Sequence, residues 1–246
     1  MKPLIIANWK MNPSNSKDAF DLAKAVVKGV EGLNVDVVLC PPFVYVSELL
    51  LALSRVEGPS SKNVFIGSQD CFWENEGAFT GEVSPRMLKN LECSHVILGH
   101  SERKKYLGET LETVGKKINA ALTVGLVPVI CIGEEVEKEM GIVLRGIVPP
   151  QRDPASCGKN LVLVYEPEWA VSTNKNAKPE TSKHAKEVIE KMRKIAGEDA
   201  SILYGGSVNS KNARSFIENA GAQGVLVGAS SLNAEEFIKL VHGSIF

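Results

Sequence analysis

Eight short apolar runs recur along the chain, and longer amphipathic or charged stretches fill the gaps between them. The runs are LIIANW (4–9), VDVVLC (35–40), NVFIGSQ (63–69), HVILG (95–99), LVPVICIG (126–133), LVLVYE (161–166), SILYGG (201–206) and GVLVGA (224–229). They are apolar throughout rather than alternating, so each predicts a strand covered on both faces, which is the habit of parallel sheets. Helical patterning fills SKDAFDLAKAVVKGVE (16–31), ETLETVGKKINAALTVG (109–125) and PETSKHAKEVIEKMRKIAG (179–197). The last of these opens with Pro179 at the first helical position and closes on Gly197. Eight strand–helix units in 246 residues predict an α/β fold, a closed (β/α)8 barrel, as one domain over 1–246. The rival is a doubly wound open sheet, but no GxGxxG opens the first unit and the unit count is eight. The stretch GIVPPQRDPASCGK (146–159) carries three prolines, which end the fifth-unit helix early and leave a long connection.

Charge narrows the partners. Twenty-eight basic and 29 acidic residues leave a formal net charge of -1, so no excess points to nucleic acid or an anionic membrane. The leading MKPLIIANWK is too short an apolar stretch for a signal peptide, and no run reaches transmembrane length. Five cysteines (40, 71, 93, 131, 157) are scattered without a CxxC pair, which argues against a disulfide framework and against a zinc site. These features predict a cytoplasmic, soluble enzyme with no bound metal.

In such a barrel the chemistry lies at the C-terminal ends of the strands. There the sequence places Asn8-Trp9-Lys10, Gly99-His100-Ser101-Glu102, Glu166 closed off by Pro167, Gly205-Gly206-Ser207 and Gly228-Ala229-Ser230. Each group alone has a plainer account: Lys10 as a solvated charge, His100 as a helix cap, Glu166 as half of an ion pair. Three chemically distinct groups on one rim favour a site. The glycine turns after strands seven and eight suit an anion approaching backbone N–H groups, against the alternative of tight turns alone. His95, His184 and His242 fall on a strand start and on helices, and no chemistry is assigned to them.

NWK at 8–10, GAFTGEVS at 77–84, LGHSER at 98–103, YEPEWA at 165–170 and YGGSVN at 204–209 resemble the triosephosphate isomerase family. The resemblance runs in order from residue 4 to about residue 240 and weakens between about 135 and 160. It implies a TIM barrel, usually a homodimer, that interconverts dihydroxyacetone phosphate and D-glyceraldehyde 3-phosphate without cofactor or metal. By this resemblance Glu166 is the base, His100 a neutral donor to the substrate oxygens and Lys10 the electrostatic stabiliser. Asn8 supports substrate binding, Glu102 fixes Lys10 or its loop, and Ser172, Ser207, Gly228 and Ala229 hold the phosphate beside Gly205 and Gly206.

The same resemblance makes a lid of Pro167, Glu168, Trp169, Ala170, Val171, Ser172, Thr173, Asn174, Lys175, Asn176 and Ala177. Two departures from the family pattern stand out. Ser172 and Asn174 flank Thr173 where glycines are usual, which predicts a working lid with altered kinetics. Ala229 replaces a second glycine, keeping its N–H but adding a methyl beside the phosphate. The loop around Thr80 implies the dimer contact, with Phe72 and Trp73 either joining it or folding onto their own barrel. Two other functions stay open: another phosphate-binding barrel such as a sugar-phosphate epimerase, and a decayed barrel serving as a binding module.

Overall fold

The computed structural model describes residues 2–54, 63–147, 161–170 and 180–245. Eight parallel strands close on themselves in chain order: β1 (Leu4–Asn8), β2 (Asp36–Cys40), β3 (Val64–Ser68), β4 (His95–Leu98), β5 (Val127–Ile132), β6 (Val162–Tyr165), β7 (Ser201–Tyr204) and β8 (Gly224–Val227). Around them run α1 (Ser16–Gly29), α2 (Phe43–Ser54), α3 (Pro85–Asn90), α4 (Ser101–Leu107), α5 (Leu111–Val124), α6 (Val136–Gly146), α7 (Ser182–Ala196), α8 (Ala213–Glu218) and α9 (Ala234–Gly243). Short 3-10 turns follow β6 at Glu168–Ala170 and β8 at Ala229–Leu232.

The uniform apolarity of the strands has two destinations. Ile6, Val38, Ile97, Val129, Val164, Leu203 and Leu226 belong to one buried cluster, and their neighbours Ile5, Val37, Val96, Ile130, Leu163 and Ile202 belong to a second, shared with the helices. The alternation is thus between two cores rather than between core and water. The seam is the pairing of β1 with β8, Leu4 opposite Gly224. A Cβ at Gly224 would lie 1.8 Å from the Leu4 carbonyl oxygen, so only glycine lets the seam shut.

Helix ends follow local capping. The Thr110 hydroxyl accepts from the Thr113 N–H to start α5, and Gly125 ends it in the left-handed region at φ 77°. The expectation that Pro179 stands at the first helical position is corrected: α7 begins at Ser182, where the Thr181 side chain accepts from the His184 N–H. A threonine side-chain cap satisfies an orphan N–H that Pro cannot, and it sets the start. Pro179 itself lies outside the described residues, as does 148–160, which holds most of the Pro-rich connection after α6. Strands seven and eight stop at Tyr204 and Val227, short of the expected Gly206 and Ala229, because the glycine turns leave the sheet there. Among the described residues Cys40, Cys71, Cys93 and Cys131 are buried free thiols; Cys157 lies outside them.

Candidate active site

At the C-terminal mouth the chain leaves a cavity of about 160 Å³. Asn8 and Lys10 reach it from β1, His100 from β4, Glu166 from β6, Gly205 to Asn209 from β7, and Gly228 to Ser230 from β8. Leu226 adds an apolar wall. The volume suits a small polar molecule of a few carbons.

Lys10 is held by its backbone and by its head. Its φ is 52°, a left-handed conformation that costs a non-glycine residue free energy. Its N–H donates to Asn8 Oδ1 at 3.0 Å, and its carbonyl accepts from Gln69 Nε2 at 2.8 Å. Gln69 also donates to the Cys40 carbonyl at 2.9 Å, tying the Lys10 turn to β2. The Lys10 Nζ then lies 2.5 Å from Glu102 Oε1, at the start of α4. Gln69 is not among the site residues read from the sequence; its only signal there is a polar side chain at the end of the third apolar run, one residue past β3.

His100 caps α4, its Nδ1 accepting from the Glu102 N–H at 3.2 Å. That bond places the ring proton on Nε2, which faces Glu166 Oε1 at 3.0 Å. Glu166 is 2 % exposed and accepts from the Ser101 N–H at 3.1 Å and from the Ser101 hydroxyl at 2.9 Å. Burial pushes its pKa up, but His100 beside it and the bonds from His100 and Ser101 together hold the carboxyl below its ordinary value. Ser101 in this gripping role was also unread in the sequence.

The glycine turns are sterically required. A Cβ on Gly205 would sit 2.5 Å from Val164 Cγ1, and one on Gly206 2.1 Å from the Tyr204 hydroxyl. Ser207 donates both its N–H (2.8 Å) and its hydroxyl (2.6 Å) to the Ala170 carbonyl, so an anion reaches that amide only by exchange. Ser230 donates to the Val208 carbonyl at 2.7 Å beside it. Of the lid candidates, Pro167 is buried and Glu168, Trp169 and Ala170 form the 3-10 turn; Val171, Ser172, Thr173, Asn174, Lys175, Asn176 and Ala177 lie outside the described residues.

On the loop around Thr80, Phe72 is buried and stacks on Trp73 at 3.9 Å and against Phe79 at 4.6 Å. The extra aromatics therefore fold onto their own loop, leaving Phe79 43 % exposed at the tip. Among the described residues no group of three His, Cys, Asp or Glu side chains is placed to hold a metal ion, and no helix is long and apolar enough to cross a membrane.

Known proteins resemble this chain over nearly all of its length. The family model described as triosephosphate isomerase matches residues 3–244. The triosephosphate isomerase of Alkaliphilus oremlandii is 39% identical over 255 residues, covering 98% of this chain and 99% of its own. That of Carboxydothermus hydrogenoformans is 40% identical over 260 residues and covers 99% of each. The crystal structure of the Bartonella henselae triosephosphate isomerase superposes with a TM-score of 0.77 at 31% identity, covering 99% of both chains.

Proposed function

The chain belongs to the triosephosphate isomerase family, and from that premise we propose that Glu166, His100 and Lys10 carry its interconversion of dihydroxyacetone phosphate and D-glyceraldehyde 3-phosphate. The observation that carries the assignment of roles is their convergence on one cavity, in which Lys10, His100 and Glu166 face two glycine turns. Isomerisation removes a proton from carbon α to a carbonyl and returns it to the neighbouring carbon. Glu166, ionised at neutral pH, takes that proton once it leaves Ser101. The His100 Nε2–H exchanges its bond to Glu166 for one to the oxygen where enediolate charge develops. Lys10 adds a fixed positive charge beside that oxygen and the phosphate. Glu166 moves the carbon-bound proton, and the hydroxyl proton of the enediol passes to the neighbouring oxygen beside the His100 Nε2–H, so the two transfers balance as proton movements alone.

We assign Ser207, Gly228 and Ala229, which line the cavity, to the phosphate and Asn8 to support of substrate binding, with Gly205 and Gly206 allowing the backbone to come close. Ser172 and the rest of the 167–177 stretch serve as the covering segment, which limits loss of phosphate from an exposed enediol. We read the chain as one domain and as a homodimer. Met11 (93%), Val44 (77%), Phe79, Met87, Tyr106 and Leu107 (66% each for the last two) are exposed, and all lie in the first four strand–helix units. A second copy covering that side would bury them around the Thr80 loop. Four buried thiols suit the reducing cytoplasm.

A coupled assay of D-glyceraldehyde 3-phosphate turnover tests the reading. Turnover lost in Glu166→Gln is the expected result; a purified, folded parent chain without turnover would leave only a binding barrel.

A further inference from the structure

The segment that bears the base is anchored at two points by the start of α7. Tyr165, the residue before Glu166, points its hydroxyl to Glu180 Oε2 at 3.5 Å. The same carboxylate oxygen lies 2.8 Å from His184 Nδ1, and the other oxygen accepts from the Thr181 N–H. The Glu180 side chain is only 2% exposed. A carboxylate that far from water is costly unless its neighbours satisfy it, and here three donors do. The His184 ring in turn meets the indole of Trp169, with centroids 6.2 Å apart and planes inclined by 47°, an edge contact between rings. Trp169 is the middle residue of the 3-10 turn just beyond Glu166.

Glu180 therefore holds the residue before the base, and His184, bonded to Glu180, holds the turn after it. We propose that Glu180 and His184 are positioning residues for Glu166, setting the path of Tyr165–Ala170 without touching substrate. This rests on Glu166 being the base. The bonds to Ser101 must break and reform in each turnover, and the carboxylate must arrive at the same place each time. A segment fixed on both sides of Glu166 confines that movement to its side chain. Sequence alone gave no hint of this, since His184 reads as one polar residue among many on an amphipathic helix.

The test compares His184→Ala, Glu180→Ala and Glu180→Gln in the full chain. His184 is half exposed, so its replacement leaves the fold intact and decides the matter even where Glu180→Ala fails to fold. The alanine variants are expected to lose about tenfold in kcat with little change in KM, because the phosphate grip is elsewhere. Glu180→Gln keeps an acceptor for Tyr165 and His184, and should stay within about twofold of the parent. The chain has three tryptophans, so 5-fluorotryptophan labelling gives three 19F resonances, and Trp169→Phe identifies one of them. That resonance should move in His184→Ala while those of Trp9 and Trp73 stay. Unchanged kcat and an unchanged Trp169 resonance in folded His184→Ala overturn the proposal. If folded Glu166→Gln retains near-parental turnover, the base assignment fails instead, and the two failures are distinct.

Discussion

Ser101 grips the carboxylate of Glu166 twice, by its N–H at 3.1 Å and by its hydroxyl at 2.9 Å. In this state the base is parked against the first turn of α4, charged and satisfied. Two residues 65 apart in sequence are thus joined, and the Ser101 bonds add to the larger effect of His100 in holding the carboxyl down against its burial.

Ser101→Ala removes one of the bonds that hold the Glu166 pKa down. Since the base works only when ionised, activity falls as pH drops through that pKa. Losing the hydroxyl raises the pKa, so the acid limb of the kcat/KM profile should move to higher pH. An unmoved or lowered limb in a folded variant contradicts the account of Glu166.

Glu166→Gln keeps the shape and removes the base, so kcat should fall by at least about 100-fold, the low end for general-base catalysis. The circular dichroism melt should show a folded protein. The sign of the stability change is also defined. A carboxyl depressed in the folded state stabilises above its unfolded pKa and loses that contribution as pH falls through the folded one. Replacing it should therefore flatten the acid side of the stability profile.

Lys10→Met removes the cavity's lysine charge, which faces Gly228 and pairs with Glu102. A bond to a charged group contributes about 1.5–3 kcal/mol, roughly 10- to 100-fold, and it serves phosphate and transition state alike. KM should rise and kcat should fall together. Parameters that both stay at the parental values would reduce Lys10 to a surface charge.

Gly224→Ala tests the seam. Its Cβ would meet the Leu4 carbonyl at 1.8 Å, a backbone atom that cannot step aside. Overpacking in a core costs about 1–3 kcal/mol, and a backbone clash sits at or above the top of that range. The melting temperature should drop by about 2–4 °C per kcal/mol, with activity falling only as the fold does. Melting at the parental temperature would show that β1 and β8 are not rigidly paired.

The barrel was legible because strands such as Val162–Tyr165 are buried on both faces and therefore lack the alternation of a half-exposed sheet. Lys10, His100 and Glu166 were legible because polar residues at the tips of such strands have few other reasons to be there. Ser101 and Gln69 were not. Serine at a helix start reads as an ordinary first-turn residue, and Gln69 acts through a carbonyl, which the sequence does not distinguish from any other. Nor could spacing reveal the buried cluster in which Lys117 bonds Asp70 at 2.8 Å and also pairs with Glu109, since Asp70 follows β3 while Glu109 and Lys117 lie beyond β4. The start of α7 was misplaced because Pro179 is a strong signal in isolation, and the Thr181 cap overrode it.

The seam between β1 and β8 brings Lys10 against Gly228, so the charge and the glycine turn of one site come from the first and last strands of the barrel. On a ribosome that arrangement acts as a timer. Lys10 emerges early, and the last wall of the cavity arrives only with the final strand, so no nascent intermediate short of β8 can hold substrate beside that charge. A chain that lacks β8 therefore also lacks the Gly228 turn, and the cavity beside Lys10 is left without that wall.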